Sequence, residues 1–309
     1  MLKVVFGFDG SQASLSVASK IGAMASWWKV DELCALNVQP QPKGLGEPLP
    51  FELQQRAETL ARSAGDQLLE SALAVLGPRY SSVTSAVVFG DAATRIAEEA
   101  ESSGNVLIAL GSHGAGALFG YPIGSVTHKV LHISARPVLV MPALRDDTSA
   151  HGPPQRPVRI LIAVDGSPDS LAAVRQAVQL MPAFVSPPEI HLVAVYDKTP
   201  MDVEIGAMLS AKALSDYERE YFEAAIKPAR GLLAGTRLAV TEHTLIGTPA
   251  LRIQELASSQ RCDIVCIGTR GQGRLRGLIL GSTTAKLLHT AGVPLLVVRH
   301  SPTSASLSS

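Results

Sequence analysis

Cysteine is scarce in this chain. Three residues among 309, Cys34, Cys262 and Cys266, do not make a disulfide framework. Cys262 and Cys266 stand four apart around one apolar run, and two thiols are too few for a zinc site. Core packing is the role expected of them. Net charge is also lacking: 27 basic residues balance 27 acidic ones, so nothing suggests an electrostatic footprint for nucleic acid or a membrane surface. No segment reaches the ~18 consecutive apolar residues of a membrane span. Met1–Gly7 enters a strand pattern directly, without the charged region and longer apolar stretch of a signal peptide; the expected location is the cytoplasm. A G-x4-G-K-[ST] phosphate loop is absent, and no Ser/His/Asp or Cys/His constellation can be defended from spacing. His132 and His289 recur within one helix pattern, where packing is a simpler role than catalysis. Trp27-Trp28 is expected to pack at the end of the first helix.

What the chain does have is an internal repeat. Hydrophobic residues make up 46% and charged residues 17%, as in globular proteins, and the length suits two domains of roughly 150 residues. Asp9-Gly10-Ser11 recurs as Asp165-Gly166-Ser167. One residue of offset later, Gly90 matches Gly247, Arg95 matches Arg252, Gly111 matches Gly268, Gly114 matches Gly271, Gly124-Ser125 matches Gly281-Ser282, Lys129 matches Lys286 and Pro137 matches Pro294. So many matches in one register, at so long a period, indicate duplicated domains rather than a solenoid of short repeats. The Pro-rich polar stretch between the copies reads as a linker. The expected organisation is a first domain over 1–142, a linker over 143–157, a second domain over 158–300 and a flexible tail over 301–309.

Each half alternates strands with helices. Val4–Phe8 and Ile160–Val164 are short β-branched runs that read as strands buried on both faces. Each ends in Asp-Gly-Ser and enters an Ala/Leu/Val-rich helix; Pro168 after Ser167 is the expected cap-then-Pro start. Second strands are expected at Leu33–Val38 and Ile190–Tyr196, and third strands at Ser82–Phe89 and Ala239–Ile246. Fourth strands fall at Val106–Leu110 and Ile264–Ile267, and fifth strands at Val138–Met141 and Leu295–Val298. Long helical patterns cover Phe51–Leu76 and Val203–Leu233. Strand–helix alternation implies parallel pairing with right-handed crossovers. The predicted fold class is therefore α/β: two tandem open parallel five-stranded sheets, order 3-2-1-4-5, with helices on both faces in a Rossmann-like arrangement. Such sheets take ligands past the carboxyl ends of the strands, where winding reverses. That point lies between the first and fourth strands of each half.

A glycine-rich loop follows each fourth strand. In the first half it runs from Gly111-Ser112-His113-Gly114-Ala115-Gly116 to Gly124-Ser125; in the second, from Gly268-Thr269-Arg270-Gly271-Gln272-Gly273 to Gly281-Ser282. Both read G-x2-G-x9-G-S. Glycines let backbone N–H groups converge on anionic oxygens without a Cβ in the way, and Gly-Ser at the start of the next helix adds its dipole and a hydroxyl. Turn-making and helix capping are the structural alternative for one such loop; two with the same spacing at the switch point favour an anion site. The Gly114-x-Gly116 and Gly271-x-Gly273 pieces look superficially like a dinucleotide fingerprint, but that fingerprint belongs after a first strand.

These residues carry a resemblance. G-x2-G-x9-G-S, with Asp-Gly-Ser after the first strand and a Pro-Val-Leu-Val type fifth strand, resembles the universal stress protein family, once in each half, in the version of its ATP-binding members. The resemblance implies one ATP, with Mg²⁺, per domain. Gly111, Ser112, His113, Gly114, Gly116, Gly124 and Ser125 would hold phosphates and ribose in the first half; Gly268, Thr269, Arg270, Gly271, Gly273, Gly281 and Ser282 would do so in the second. Asp9 and Asp165 would face the ribose or a phosphate-bound Mg²⁺, or else simply form a turn or helix cap. Gly7 and Ala163 would line the pocket wall, and Val38 and Val195 would meet adenine through backbone groups, strand core being the alternative. His113 stands where Arg270 stands, so the second half is expected to bind ATP more tightly, Arg carrying a permanent charge. In the family, single-domain members dimerise through their last strands. A tandem chain could form that pair internally, and homodimerisation and an unknown protein partner are further expectations. The implied function is nucleotide-dependent regulation in a stress response. A slow ATPase and a nucleotide-free interaction module are the alternatives; no catalytic residue is assigned.

Overall fold

The apolar runs become strands because each is short, β-branched and wanted on both faces. Val4, Val5 and Phe6 in the first copy, and Leu161 and Ile162 in the second, lose essentially all solvent contact. A fully buried side chain of this size contributes ~1.5–3 kcal/mol, so the central strands anchor each half. The structure is a computed structural model, and it describes residues 1–43, 49–101, 106–112, 123–142, 156–198, 204, 208–271 and 280–300. The chain divides into two units, Met1–Pro154 and Gln155–Ser309.

In the first unit the order is β1 (Lys3–Gly7), α1 (Gln12–Met24), β2 (Glu32–Gln39), α2 (Phe51–Leu76), β3 (Val83–Phe89), α3 (Ala92–Glu101), β4 (Val106–Gly111), α4 (Ser125–Ile133) and β5 (Val138–Met141). The strands lie in the order β3-β2-β1-β4-β5, and each neighbouring pair is parallel. The second unit has β6 (Arg159–Ala163), α5 (Pro168–Leu180), a short 3-10 turn (Met181–Ala183), β7 (Glu189–Tyr196), α6 (Ala211–Leu233), β8 (Val240–Ile246), α7 (Pro249–Ser259), β9 (Ile264–Gly268), α8 (Ser282–Thr290) and β10 (Leu295–Val298). Its strands lie in the order β8-β7-β6-β9-β10, again parallel throughout. Both sheets carry the 3-2-1-4-5 order expected from the alternation.

Helix starts follow capping chemistry. Ser11 and Ser167 cap α1 and α5, their Oγ atoms accepting from Ser14 N at 3.1 Å and Ser170 N at 3.2 Å. Within the stretch expected to be helical from Val203, Glu204 and Met208 are helical, and the long helix itself starts at Ala211. Ser210 Oγ accepts from Ala213 N at 3.2 Å and sets that start. The 3-10 turn has no periodicity signal long enough to read. Cys262 and Cys266 are both buried, and burial pushes the Cys262 thiol up to about 11 and the Cys266 thiol higher still. Trp28 is buried just beyond α1, its ring 6.4 Å from that of Trp27. Arg156, within the stretch read as linker, is held by both oxygens of Asp263 at 2.9 and 3.2 Å. The rest of that stretch up to residue 155, and the tail from residue 301, lie outside the described residues. Among the described residues no helix is long and apolar enough to cross a membrane.

Candidate functional site

The Asp-Gly-Ser turns after β1 and β6 are built alike. Gly10 and Gly166 have φ near +77° and +78°, a left-handed conformation that glycine adopts without steric cost. That bend brings Asp9 Oδ1 to accept from Ser11 N and Asp165 Oδ1 from Ser167 N, each at 3.0 Å. Both aspartates therefore form Asx turns, and in each case one carboxylate oxygen is committed to the turn.

The glycine loops begin at the neighbouring strand. Gly268, the last residue of β9, has no room for a side chain: a Cβ there would lie 2.6 Å from the Asp169 carbonyl carbon and 2.8 Å from Ser170 N. A Cβ on Gly271 would lie 2.5 Å from Asp165 Oδ2. The second loop thus passes directly against the Asp-Gly-Ser turn, as the switch-point topology requires. Its two ends are tied together: Thr269 O accepts from Gly281 N at 2.7 Å and Thr284 Oγ1 donates to Gly268 O at 2.8 Å. The first unit repeats the frame, with Ser112 O accepting from Gly124 N at 2.7 Å and Thr127 Oγ1 donating to Gly111 O at 2.7 Å. Gly124 and Gly281 then start α4 and α8 with no side-chain hydrogen bond at either cap, in contrast to the serine-capped α1 and α5. Ser125 and Ser282 are the first helical residues. His113, Gly114, Gly116 and Gly273 lie outside the described residues.

The second strands complete the site. Gln39 O accepts from Gly90 N, and Tyr196 O accepts from Gly247 N, so these residues turn toward β3 and β8. Leu36 O accepts from Phe8 N and Val193 O from Val164 N, turning the other way. Backbone direction alternates along a strand, so Val38 and Val195 aim their N–H and C=O groups into the space beyond the ends of β1 and β6. Their side chains are half-buried. Val195 O also accepts from Tyr221 Oη at 3.4 Å; Ala64 holds the matching place in the first half. Gly7 packs tightly, a Cβ falling 2.7 Å from Leu110 Cδ2 and 2.9 Å from Ile96 Cδ1, which leaves its backbone as the part able to line a pocket. Ala163 is buried.

One residue of the site escaped the sequence reading. Asp169, in the first turn of α5, is only 4% exposed. Its Oδ2 accepts from Thr269 Oγ1 at 3.0 Å and from Arg270 Nε at 3.2 Å, and its Oδ1 from His300 N at 2.8 Å. The charge of Arg270 is therefore already answered in part by a buried carboxylate. An acidic residue in a first helical turn looks like ordinary dipole pairing in sequence; the absence of an acid at the matching Ala13 is the signal that could have drawn attention to it. Among the described residues no group of three or more His, Cys, Asp and Glu side chains is arranged to hold a metal ion.

The sequence profile described as the universal stress protein family matches residues 1–142 and again 158–299. Among named relatives, a universal stress protein of Mycobacterium tuberculosis is 29% identical over 311 aligned residues, spanning 96% of this chain and 97% of its own length. One from Methanocaldococcus jannaschii is 29% identical over 141 residues, 46% of this chain and 81% of its own. Among solved structures, a universal stress protein from Archaeoglobus fulgidus superimposes with a TM-score of 0.64 at 20% identity, covering 97% of each chain. That likeness speaks to the fold alone.

Proposed function

The chain belongs to the universal stress protein family, with two of its domains in tandem, and we propose that each domain binds one molecule of ATP with Mg²⁺ and that occupancy sets the state of a cytoplasmic stress-response regulator. The observation that carries this reading is the contrast between helix starts at the switch point. The helices after the Asp-Gly-Ser turns have serine caps, whereas α4 and α8, entered from the glycine loops, have none. A glycine cap has no side chain to take a first-turn N–H, and such N–H groups together with the helix dipole suit a phosphate.

The residues present fit a nucleotide in three respects. Gly268, Thr269, Arg270, Gly271, Gly281 and Ser282 in the second domain, and Gly111, Ser112, Gly124 and Ser125 in the first, would surround the phosphates. Val38 and Val195 offer backbone groups in the pattern that an adenine edge reads. In the second domain an adenine amino group would share or replace the hydrogen bond of Tyr221. Asp9 and Asp165 would each bring one carboxylate to the metal, Asp169 in the second domain being engaged by Thr269, Arg270 and His300. With a single carboxylate, Mg²⁺ would be held mostly by phosphate oxygens and water, as this ion prefers, and it would screen the phosphates from the aspartate. A bound nucleotide favours whichever conformation it binds better, and regulation would follow from that difference.

The test is nucleotide content. Freshly purified chain is denatured and the released small molecules are identified by chromatography, alongside calorimetric titration with Mg-ATP. Two ATP equivalents per chain are expected. No released nucleotide together with no heat of binding would sink the reading. Steady ADP release by purified protein, lost in Asp9→Ala and Asp165→Ala, would replace it with an ATPase.

A further inference from the structure

Among the described residues, Asp169 is the only acidic side chain that is buried, and no lysine or arginine is buried with it. Carboxylates are almost never buried unless paired, and burying one is costly. The base of the glycine loop does not need it. The first domain builds the same frame with Ala13 in that place: Ser112 N donates to Met141 O at 2.8 Å where Thr269 N donates to Val298 O at 2.8 Å, and the ties across the loop ends match. What the second domain has in addition is arginine. Arg270 replaces His113, and Arg299 replaces Pro142. The Arg299 guanidinium is held below its usual range by burial first and then by the charge of Arg270, with Asp169 acting in the opposite direction. Arg270 is thus bonded to the carboxylate, and Arg299, next to the His300 whose N–H the carboxylate also accepts, adds a second positive charge just past the end of β10.

We infer that Asp169 is a positioning residue of the second site: it fixes Arg270, with Arg299 alongside, for the phosphate chain, so that the second domain selects for polyphosphate in a way the first does not. This inference rests on the nucleotide-binding reading above. Asp169 engages Arg270 through Nε, and the guanidinium is a rigid fork, so fixing that edge also fixes the direction in which the terminal Nη edge points. Without the carboxylate, the opposition between the charges of Arg270 and Arg299 is no longer offset by Asp169. The arrangement also links the loop to β10, because the same carboxylate accepts from His300 N.

The experiment is calorimetric titration of the full chain with Mg-ATP and, separately, with adenosine. The variants are Asp169→Asn, Arg270→Gln and the two combined. Asp169→Asn keeps the size and one acceptor oxygen while removing the charge. Charge-assisted hydrogen bonds are the strong ones, so about a tenfold loss of Mg-ATP affinity at one of the two sites is expected for each single variant. The combined variant should be no weaker than Arg270→Gln, and adenosine binding should not move. Unchanged Mg-ATP binding in Asp169→Asn overturns the inference. So does a loss that affects adenosine equally and persists in the Arg270→Gln background, since that marks a merely structural role. If Asp169→Asn does not fold, Arg270→Lys decides. A lysine keeps the charge without the oriented fork, so a loss like that of Arg270→Gln supports positioning, and wild-type affinity refutes it. Wild-type chain that binds neither probe would remove the nucleotide reading itself, a result distinct from any difference between variants.

Discussion

Gly268 stands against the backbone of the first turn of α5 with no room for a side chain, and the same substitution made there and in α6 should have opposite signs. In Gly268→Ala the new Cβ would sit 2.6 Å from the Asp169 carbonyl carbon, 2.8 Å from Ser170 N and 2.9 Å from Asp169 Cβ. None of these is the tip of a flexible side chain, so β9 and the first turn of α5 must separate. Over-packing of this kind costs ~1–3 kcal/mol. At roughly 2–4 °C per kcal/mol for a domain of this size, the melting transition should fall by about 2–12 °C. Gly231 is the control. It lies exposed in α6, and a Cβ added there would meet nothing within 4 Å. Alanine there removes unfolded-state freedom from a helical position and should stabilise by ~0.5–1 kcal/mol, raising the transition by about 1–4 °C. Differential scanning calorimetry of the full chain measures both against wild type. Because Asp169 holds Thr269 and Arg270 beside Gly268, Gly268→Ala should also weaken Mg-ATP binding at one site. A melting temperature for Gly268→Ala within a degree of wild type would refute the claim that the strand and helix meet without room for a methyl group.

Three further outcomes are expected. His191 on β7 and His243 on β8 share an Nδ1···Nε2 hydrogen bond of 3.0 Å, with Arg159 and Glu189 the charged groups near His191. Both imidazoles are held below their ordinary value, by burial first and, for His191, then by His243 and Arg159. The folded chain thus binds protons less readily than the unfolded one, so this contribution is present above about pH 6.5 and lost as pH falls through the lowered folded values. Urea midpoints between about pH 7.5 and pH 5 should drop on acidification, and less steeply in a His191→Gln/His243→Gln variant; equal slopes would contradict the assignment. All three cysteines are buried with raised thiol pKa values, so a thiol reagent at about pH 8 should label none in the native chain and all of them after unfolding. Rapid native labelling would show that the core is open. Asp91 accepts from Lys129 Nζ at 2.9 Å and caps α3 by accepting from Thr94 Oγ1 at 2.8 Å and Thr94 N at 3.0 Å; the lysine first, and then the two Thr94 bonds, hold its carboxyl down at about 2. Asp91→Ala should cost ~1 kcal/mol, chiefly from the lost cap, since the lysine pair is exposed. Lys129→Ala should cost far less, and the reverse order by chemical denaturation would be evidence against the cap.

Much of this protein is legible in one dimension because its physics is local. The repeat, the β-branched runs and the Asp-Gly-Ser and Gly-Ser punctuation each act over a few residues. Alternation of strand and helix then leaves few ways to connect parallel strands, and the sheet order follows. The two loops of each site could be placed together for the same reason. Tertiary structure decided what depends on direction and on distant partners. Val38 and Val195 could have been plain core; which way their backbone groups point is set by pairing of β2 and β7 with their neighbours. Asp165 looked equally suited to a turn or a ligand, and the fold commits Oδ1 to the turn. Asp169 looked like a helix-start acid, but it is buried against Thr269, Arg270 and His300, at least a hundred residues further along the chain. Sequence periodicity records which face of an element is apolar. It does not record which single carboxylate three converging segments enclose, because that is settled only when the strand ends pack against the first turn of the helix.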